Sequence, residues 1–298
     1  MPNRSIIVHI GFPKCASSFI QKNLFSKCDD YLLITSDELI NVTGKVELNV
    51  LKKDFDLYKQ ILDYVNGNLS LKNTLIKNLE KQINKFNGRL IFTSEWITAP
   101  RYVKNTPLDR VKLLCEILPK DAKLIMVVRD HTDLIISLYR DNQISFYNNK
   151  YLSFNEFLEE ILSPKLSNRF QYSSVYRLLI EKFSEDNIYF YKLKKNKSHN
   201  ICEEINNDLQ INNKKDLRID IVNEGITNSQ FTYLIFIRKF IFIKKLIPKR
   251  IYSYLHFKIL KFLKFGNKYK INISKKSLDK INSVFEHDWI YISKKLRN

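Results

Sequence analysis

Three short apolar runs constrain this chain more than any other feature. SIIVHI (residues 5–10), RLIFT (89–93) and KLIMVV (123–128) are almost uninterrupted in hydrophobicity and rich in β-branched residues. Runs of that length and character are strands buried on both faces, the habit of parallel sheets. A fourth, NIYFYK, covers 187–192. Between them the apolar period lengthens. Leu71, Leu75, Leu79, Ile83 and Phe86 recur at three and four, predicting a helix over 69–87 that ends at Asn87-Gly88. Further helices are predicted over 17–24 (with serine caps), 50–65, 106–118 (Pro107 near its start), 132–148, 153–162 (Ser153 and Glu156 at capping-box spacing) and 173–183. Strand–helix alternation of this kind gives an α/β fold: a three-layer parallel sheet with helices on both faces.

The length, 298 residues, suits one α/β domain with a modest appendage, and 44% hydrophobic residues supply its core. Charged residues at 27% and a mean hydropathy of −0.28 exclude a multi-span membrane protein. Only 6 glycines and 7 prolines argue against collagen, propellers and linker arrays. Fifty Lys and Arg against 31 Asp and Glu give a net charge of +19, a field that favours anionic partners. That excess is concentrated. Residues 225–278 hold thirteen Lys and Arg and neither Asp nor Glu. The expected organisation is an α/β domain over 1–225 and a basic, apolar-rich helical region over 226–298. Two readings of that region stay open: helices packed on the domain with lysines in water, or an interfacial helix on anionic lipid. Its apolar runs fall short of the ~18–20 residues that span a bilayer. No nucleic-acid-binding motif accompanies the charge, so no nucleic-acid partner is expected. Four cysteines make no disulfide framework, and the N-terminus lacks a signal-peptide pattern. A cytoplasmic protein, peripheral on the inner membrane face if the second reading holds, is expected.

Ligands of such sheets lie beyond the carboxyl ends of the strands. Polar groups follow three of them: Lys14, Glu95 and Arg129. After the first strand, Pro13-Lys14-Cys15-Ala16-Ser17-Ser18-Phe19 runs through a turn into a helix start. Amides there point outward, small residues let a phosphate approach the backbone, hydroxyls donate and Lys14 adds a full charge. No Gly-Lys-Ser follows, so this is not a Walker A loop. After the third strand, Arg129 is followed eight residues later by Ser137, about two helical turns along.

These two segments resemble motifs of the sulfotransferases that use 3′-phosphoadenosine 5′-phosphosulfate. FPKCASSF (12–19) is similar to their 5′-phosphosulfate loop, and RDHTD…SLY (129–139) to their 3′-phosphate motif, in the same order and over a hundred residues apart. Cys15 stands where a small hydroxyl residue is usual and His131 where proline is common, and the C-terminal Arg-Lys-Gly element of the eukaryotic cytosolic branch is missing. The resemblance, over roughly residues 5–225, therefore points to the bacterial and carbohydrate-modifying branches and implies their P-loop-NTPase-like fold. It further implies 3′-phosphoadenosine 5′-phosphosulfate as donor and no metal. Lys14 and the amides of residues 15–19 would hold the 5′-phosphate, with hydroxyl contacts from Ser17 and Ser18. Arg129 and Ser137 would hold the 3′-phosphate. Lys14 would also stabilise the leaving group. Glu95 is the first candidate for the base, His9 the second, although a histidine inside a strand suits a core role. His131 lies beside the 3′-phosphate motif.

The acceptor, a glycan or a small molecule, would meet the variable segments carrying Tyr58, Tyr64, Trp96, Arg101, Tyr102, Tyr147, Tyr151 and Arg169. Two other classes compete: a P-loop nucleotide kinase, for which Asp130 is the only candidate magnesium ligand, and a non-enzymatic basic protein binding membrane or nucleic acid.

Overall fold

The computed structural model describes residues 4–36, 38–41, 44–47, 52–99, 105–144, 153–194, 198–211, 227–239, 249–267, 271 and 273–297. Its sheet has five strands, β1 (Ser5–Ile10), β2 (Leu32–Ile34), β5 (Arg89–Ser94), β6 (Lys123–Val128) and β7 (Ile188–Lys192), in the order β2-β5-β1-β6-β7. Every pairing within it is parallel. A separate antiparallel hairpin joins β3 (Glu38–Asn41) and β4 (Gly44–Glu47). Nearly every residue of β1, β2, β5, β6 and β7 is buried, consecutive positions alike. Both faces of the sheet are therefore covered, as their unbroken apolar runs require.

The covering helices are α1 (Ser17–Asn23), α2 (Phe55–Val65), α3 (Lys72–Lys85), α4 (Pro107–Ile117), α5 (His131–Ile144), α6 (Phe154–Ile161), the single turn α7 (Pro164–Ser167), α8 (Tyr172–Ile180) and α9 (Ser198–Leu209). Capping boxes start α4 (Thr106 with Asp109) and α6 (Ser153 with Glu156). The chain leaves β1 toward the β2 edge and leaves β6 toward the β7 edge. Because β1 and β6 are neighbours, the sheet changes direction between them, where such folds open a crevice at their carboxyl ends.

Among the described residues three helices follow: α10 (Asn228–Lys239), α11 (Lys249–Phe262) and α12 (Lys275–Ser293). The last is part of the core. Ile281, Phe285 and Ile292 are buried, and α12 packs on α8 and α5. Asp288 of α12 accepts from the amides of Tyr172 (3.1 Å) and Ser173 (2.8 Å), capping α8 from more than a hundred residues away. The boundary expected at residue 225 lies outside the described residues.

Candidate donor site at the carboxyl end of the sheet

The loop after β1 is shaped by its backbone. Lys14 (φ 63°) and Ala16 (φ 65°) both adopt the left-handed conformation, which costs a non-glycine residue ~1–2 kcal/mol. Alternation of this kind turns successive amides to one side, forming an anion-binding concavity. Ala16, not a serine, is the N-cap of α1, and it makes no side-chain cap. The expected serine capping therefore does not occur, because the left-handed entry takes the chain into the helix before either serine reaches the cap position.

Gly11 is fixed by close approach. A Cβ there would overlap Ser17 Oγ, lie 2.9 Å from Ser17 Cβ and sit 3.3 Å from Cε1 of His9. Ser17 is accordingly buried beneath the loop, its hydroxyl turned away from solvent, while Ser18 is half-buried. Cys15 is fully buried as well.

Neighbouring segments brace this loop. β1 and β5 run in register to Ile10 and Ser94, and the Gly11 amide donates to the Ser94 carbonyl (3.1 Å). Thr98 Oγ1 donates to the Gly11 carbonyl. The segment 94–98 is thus tied to the loop, and Glu95 stands across from Gly11. On the other side, Arg129 Nη1 donates to the Lys14 carbonyl (3.3 Å). Lys14 Nζ pairs with Asp141 Oδ1 at 2.7 Å. Ser137 precedes Asp141 by four residues on α5, so both lie on the helix face turned toward Lys14. Lys14, Glu95, Arg129 and Ser137 therefore surround one end of the sheet.

Tyr172 is the residue that sequence reasoning passed over. It is fully buried, its ring meets Phe12 edge-on at 4.6 Å, and its hydroxyl donates to the Arg129 carbonyl at 3.0 Å while bonding the Cys15 side chain. One phenol thus joins the loop after β1 to the Arg129 segment. Nothing in its local sequence context distinguishes it from the fifteen other tyrosines of the chain.

The electrostatics sort the candidates further. Burial pushes the Cys15 thiol up to about 12, with Arg129 opposing and Glu95 reinforcing, so it stays protonated and is no nucleophile. Burial alone lowers His9 to about 3. Its Nδ1 bonds Thr93 Oγ1 at 2.8 Å, and it serves as a neutral core residue. His131 is 3% exposed and lies 4.3 Å from Phe285 in a stacked pair. Its Nε2 bonds the Phe170 carbonyl (3.1 Å) and lies 3.4 Å from Asp288, and burial outweighs that carboxylate to lower its pKa. Its ring faces inward and is covered by α12.

Two proposed acceptor contacts are core residues: Tyr58 bonds Ser94 Oγ (3.2 Å), and the fully buried Tyr64 donates to Glu116. Trp96 and Arg169 are half-buried. Arg101, Tyr102, Tyr147 and Tyr151 lie outside the described residues. Among the described residues, no three His, Cys, Asp or Glu side chains gather as metal ligands, and no helix is long and apolar enough to cross a membrane.

In a parallel α/β sheet, the loops at the switch point are where ligands commonly bind, and left-handed turns of the backbone there suit anions. The sulfotransferase domain family matches residues 4–203, two-thirds of the chain, and the protein belongs to that family. It is a transferase of sulfuryl groups. Among solved structures it is similar to a sulfotransferase from Alicyclobacillus acidocaldarius, at 11% identity and a TM-score of 0.41 over 74% of this chain and 87% of that one. It is also similar to the sulfotransferase domain of the curacin biosynthetic pathway, at 13% identity and a TM-score of 0.40 over 73% of this chain and 77% of the other. No relative was found among curated proteins.

Proposed function

We propose that the protein moves a sulfuryl group from 3′-phosphoadenosine 5′-phosphosulfate to an acceptor hydroxyl or amine, with a carbohydrate as acceptor class. The carrying observation is the junction of two anion-binding elements. The Arg129 guanidinium reaches the carbonyl of Lys14, at the centre of a loop whose backbone turns left-handed on both sides of Cys15. Family membership supports the donor. The amides of residues 15–19, the Lys14 ammonium and the Ser18 hydroxyl would hold the 5′-phosphosulfate, with Ser17 contributing its amide. Arg129 and Ser137 would hold the 3′-phosphate, a planar guanidinium suiting a dianion.

In the reaction the acceptor oxygen forms a bond to sulfur as the bond from sulfur to the bridging phosphate oxygen breaks. That electron pair leaves with 3′-phosphoadenosine 5′-phosphate, and Lys14 neutralises the growing charge. Glu95 takes the acceptor proton. The half-buried Trp96 beside it favours a sugar, which stacks on aromatic rings. Asp141 holds Lys14 until the donor's charge replaces it.

Titration calorimetry with 3′-phosphoadenosine 5′-phosphate, without magnesium, is the test. Binding is expected, and Arg129→Ala should weaken it about a hundredfold, since charged hydrogen bonds contribute ~1.5–3 kcal/mol each. A preference for magnesium–ATP would favour a kinase, and absence of nucleotide binding a binding protein. Labelled donor incubated with a cell-envelope extract should yield a product heavier by one sulfuryl group. Its persistence with Lys14→Ala would remove that lysine from its assigned role.

A further inference from the structure

The pair formed by α10 and α11 hides polar groups and displays apolar ones. Between the helices, Gln230 is fully buried and donates from Nε2 to the Leu260 carbonyl (2.7 Å). Thr227 Oγ1 donates to the Leu263 carbonyl (2.9 Å), and Tyr233 Oη meets Nδ1 of the buried His256 at 3.2 Å. The opposite side of α11 is open. Ile251 is 53% exposed, Tyr254 59%, Leu255 46% and Phe262 82%, at the spacing of one helical face. Of thirteen large hydrophobic side chains exposed among the described residues, nine fall between 235 and 265. A water-facing helix has the reverse arrangement.

Lysines share that face. Lys258 and Lys261 are exposed, and Lys258 Nζ stands 4.7 Å from the Tyr254 ring centre. The surrounding segment, 225–278, contains no Asp or Glu to answer its thirteen cations. A second copy of the chain would bring like charge to like charge. Nucleic acid would answer the lysines but not the phenylalanine and leucine. A bilayer with anionic headgroups answers both: acyl chains take the apolar side chains, and lysines reach up to the phosphates. At 14 residues α11 is ~21 Å long, too short for a ~30 Å hydrocarbon core, so it would lie along the surface.

We infer that the protein docks on anionic membrane through the outer face of α11. Because α10 packs on α5, the helix that bears Ser137, docking holds the sheet's carboxyl end at a fixed position relative to the lipid. The inference stands apart from the donor assignment and needs no nucleotide.

Co-sedimentation of the full-length protein with phosphatidylcholine vesicles, with and without about one-third phosphatidylglycerol, tests it. Partition is expected onto the anionic vesicles only. Leu255→Ser with Phe262→Ser should reduce it about tenfold or more at every salt concentration. Lys258→Gln with Lys261→Gln should reduce it chiefly at low salt. Leu69→Ser, which alters a leucine more exposed than Leu255 and remote from it in sequence, should leave it unchanged. Circular dichroism checks that each variant folds. Equal binding to neutral vesicles, no binding, or a Leu69→Ser variant as impaired as the α11 variants would overturn the inference. So would a dimer in light scattering that Leu255→Ser with Phe262→Ser dissociates while vesicle binding is unaffected.

Discussion

Gly11→Ala is the sharpest test of the loop geometry. The added methyl would lie 2.9 Å from Ser17 Cβ and overlap Ser17 Oγ, with His9 Cε1 at 3.3 Å. Ordinary carbon contacts need ~3.5–4.0 Å, so about 0.6–1 Å must be found somewhere. The hydroxyl can rotate away, but the Ser17 Cβ belongs to the first residue of α1, and Gly11 is held by Ser94 and Thr98 on its two backbone groups. The loop itself must therefore shift. Overpacking of this kind costs about 1–3 kcal/mol. A misplacement approaching 1 Å in a positioning element costs up to ~100-fold in function. Scanning fluorimetry should show a melting temperature several degrees lower, and calorimetry a 3′-phosphoadenosine 5′-phosphate affinity at least ~10-fold weaker. Adding Ser17→Gly removes both serine contacts and should recover most of the lost melting temperature. A Gly11→Ala protein as stable and as avid as the parent would refute the argument, as would failure of the double variant to regain stability.

Asp288→Asn exchanges an acceptor for a group half donor, opposite two amides, and should cost about 2–3 kcal/mol in urea unfolding; a change below ~0.5 kcal/mol would show that the cap is idle. His9 is held at about 3 in the folded protein against 6.5 when unfolded, so its contribution is complete above pH 6.5 and is lost as pH falls toward 3. Urea midpoints should accordingly drop between pH 7 and pH 4, each tenfold difference in proton affinity being worth ~1.4 kcal/mol, and less steeply in His9→Leu; parallel curves would exclude His9 as a source. Asp141→Asn removes an exposed ion pair and should change stability by under ~1 kcal/mol while tightening donor binding a few-fold, because Lys14 no longer has a competing partner. Weaker donor binding by that variant would mean that Asp141 helps hold the nucleotide.

The sheet was legible wherever burial is two-sided. β1 and β6 run from Ser5 to Ile10 and from Lys123 to Val128, the bounds of their apolar runs, and β5 extends one residue further, through Ser94. β2 escaped notice because three residues carry no period, and the β3–β4 hairpin because its residues are mixed. At the site, sequence order indicated Lys14, Glu95 and Arg129 through the strand ends they follow. Tyr172 and Asp288 were invisible for the converse reason: each acts on residues more than forty positions away, through contacts that only the folded chain creates. Ser17 is of a type that suits a phosphate contact, and only the folded chain shows that its hydroxyl is buried beside Gly11. The basic segment gave its charge to composition, whereas the outward turn of its apolar side chains came from the pairing of α10 with α11.

The cap that Asp288 places on α8 also sets an order of events during synthesis. Every strand of the sheet, and α8 itself, has left the ribosome's peptidyl centre long before α12 is made. Until α12 docks, the first amides of α8 have no carboxylate, and Tyr172, at its head, lacks a firm base from which to join the lysine loop to the arginine strand. On the proposed function, a translation product stopped short of α12 would lack the brace between the Lys14 loop and Arg129 on which donor binding depends.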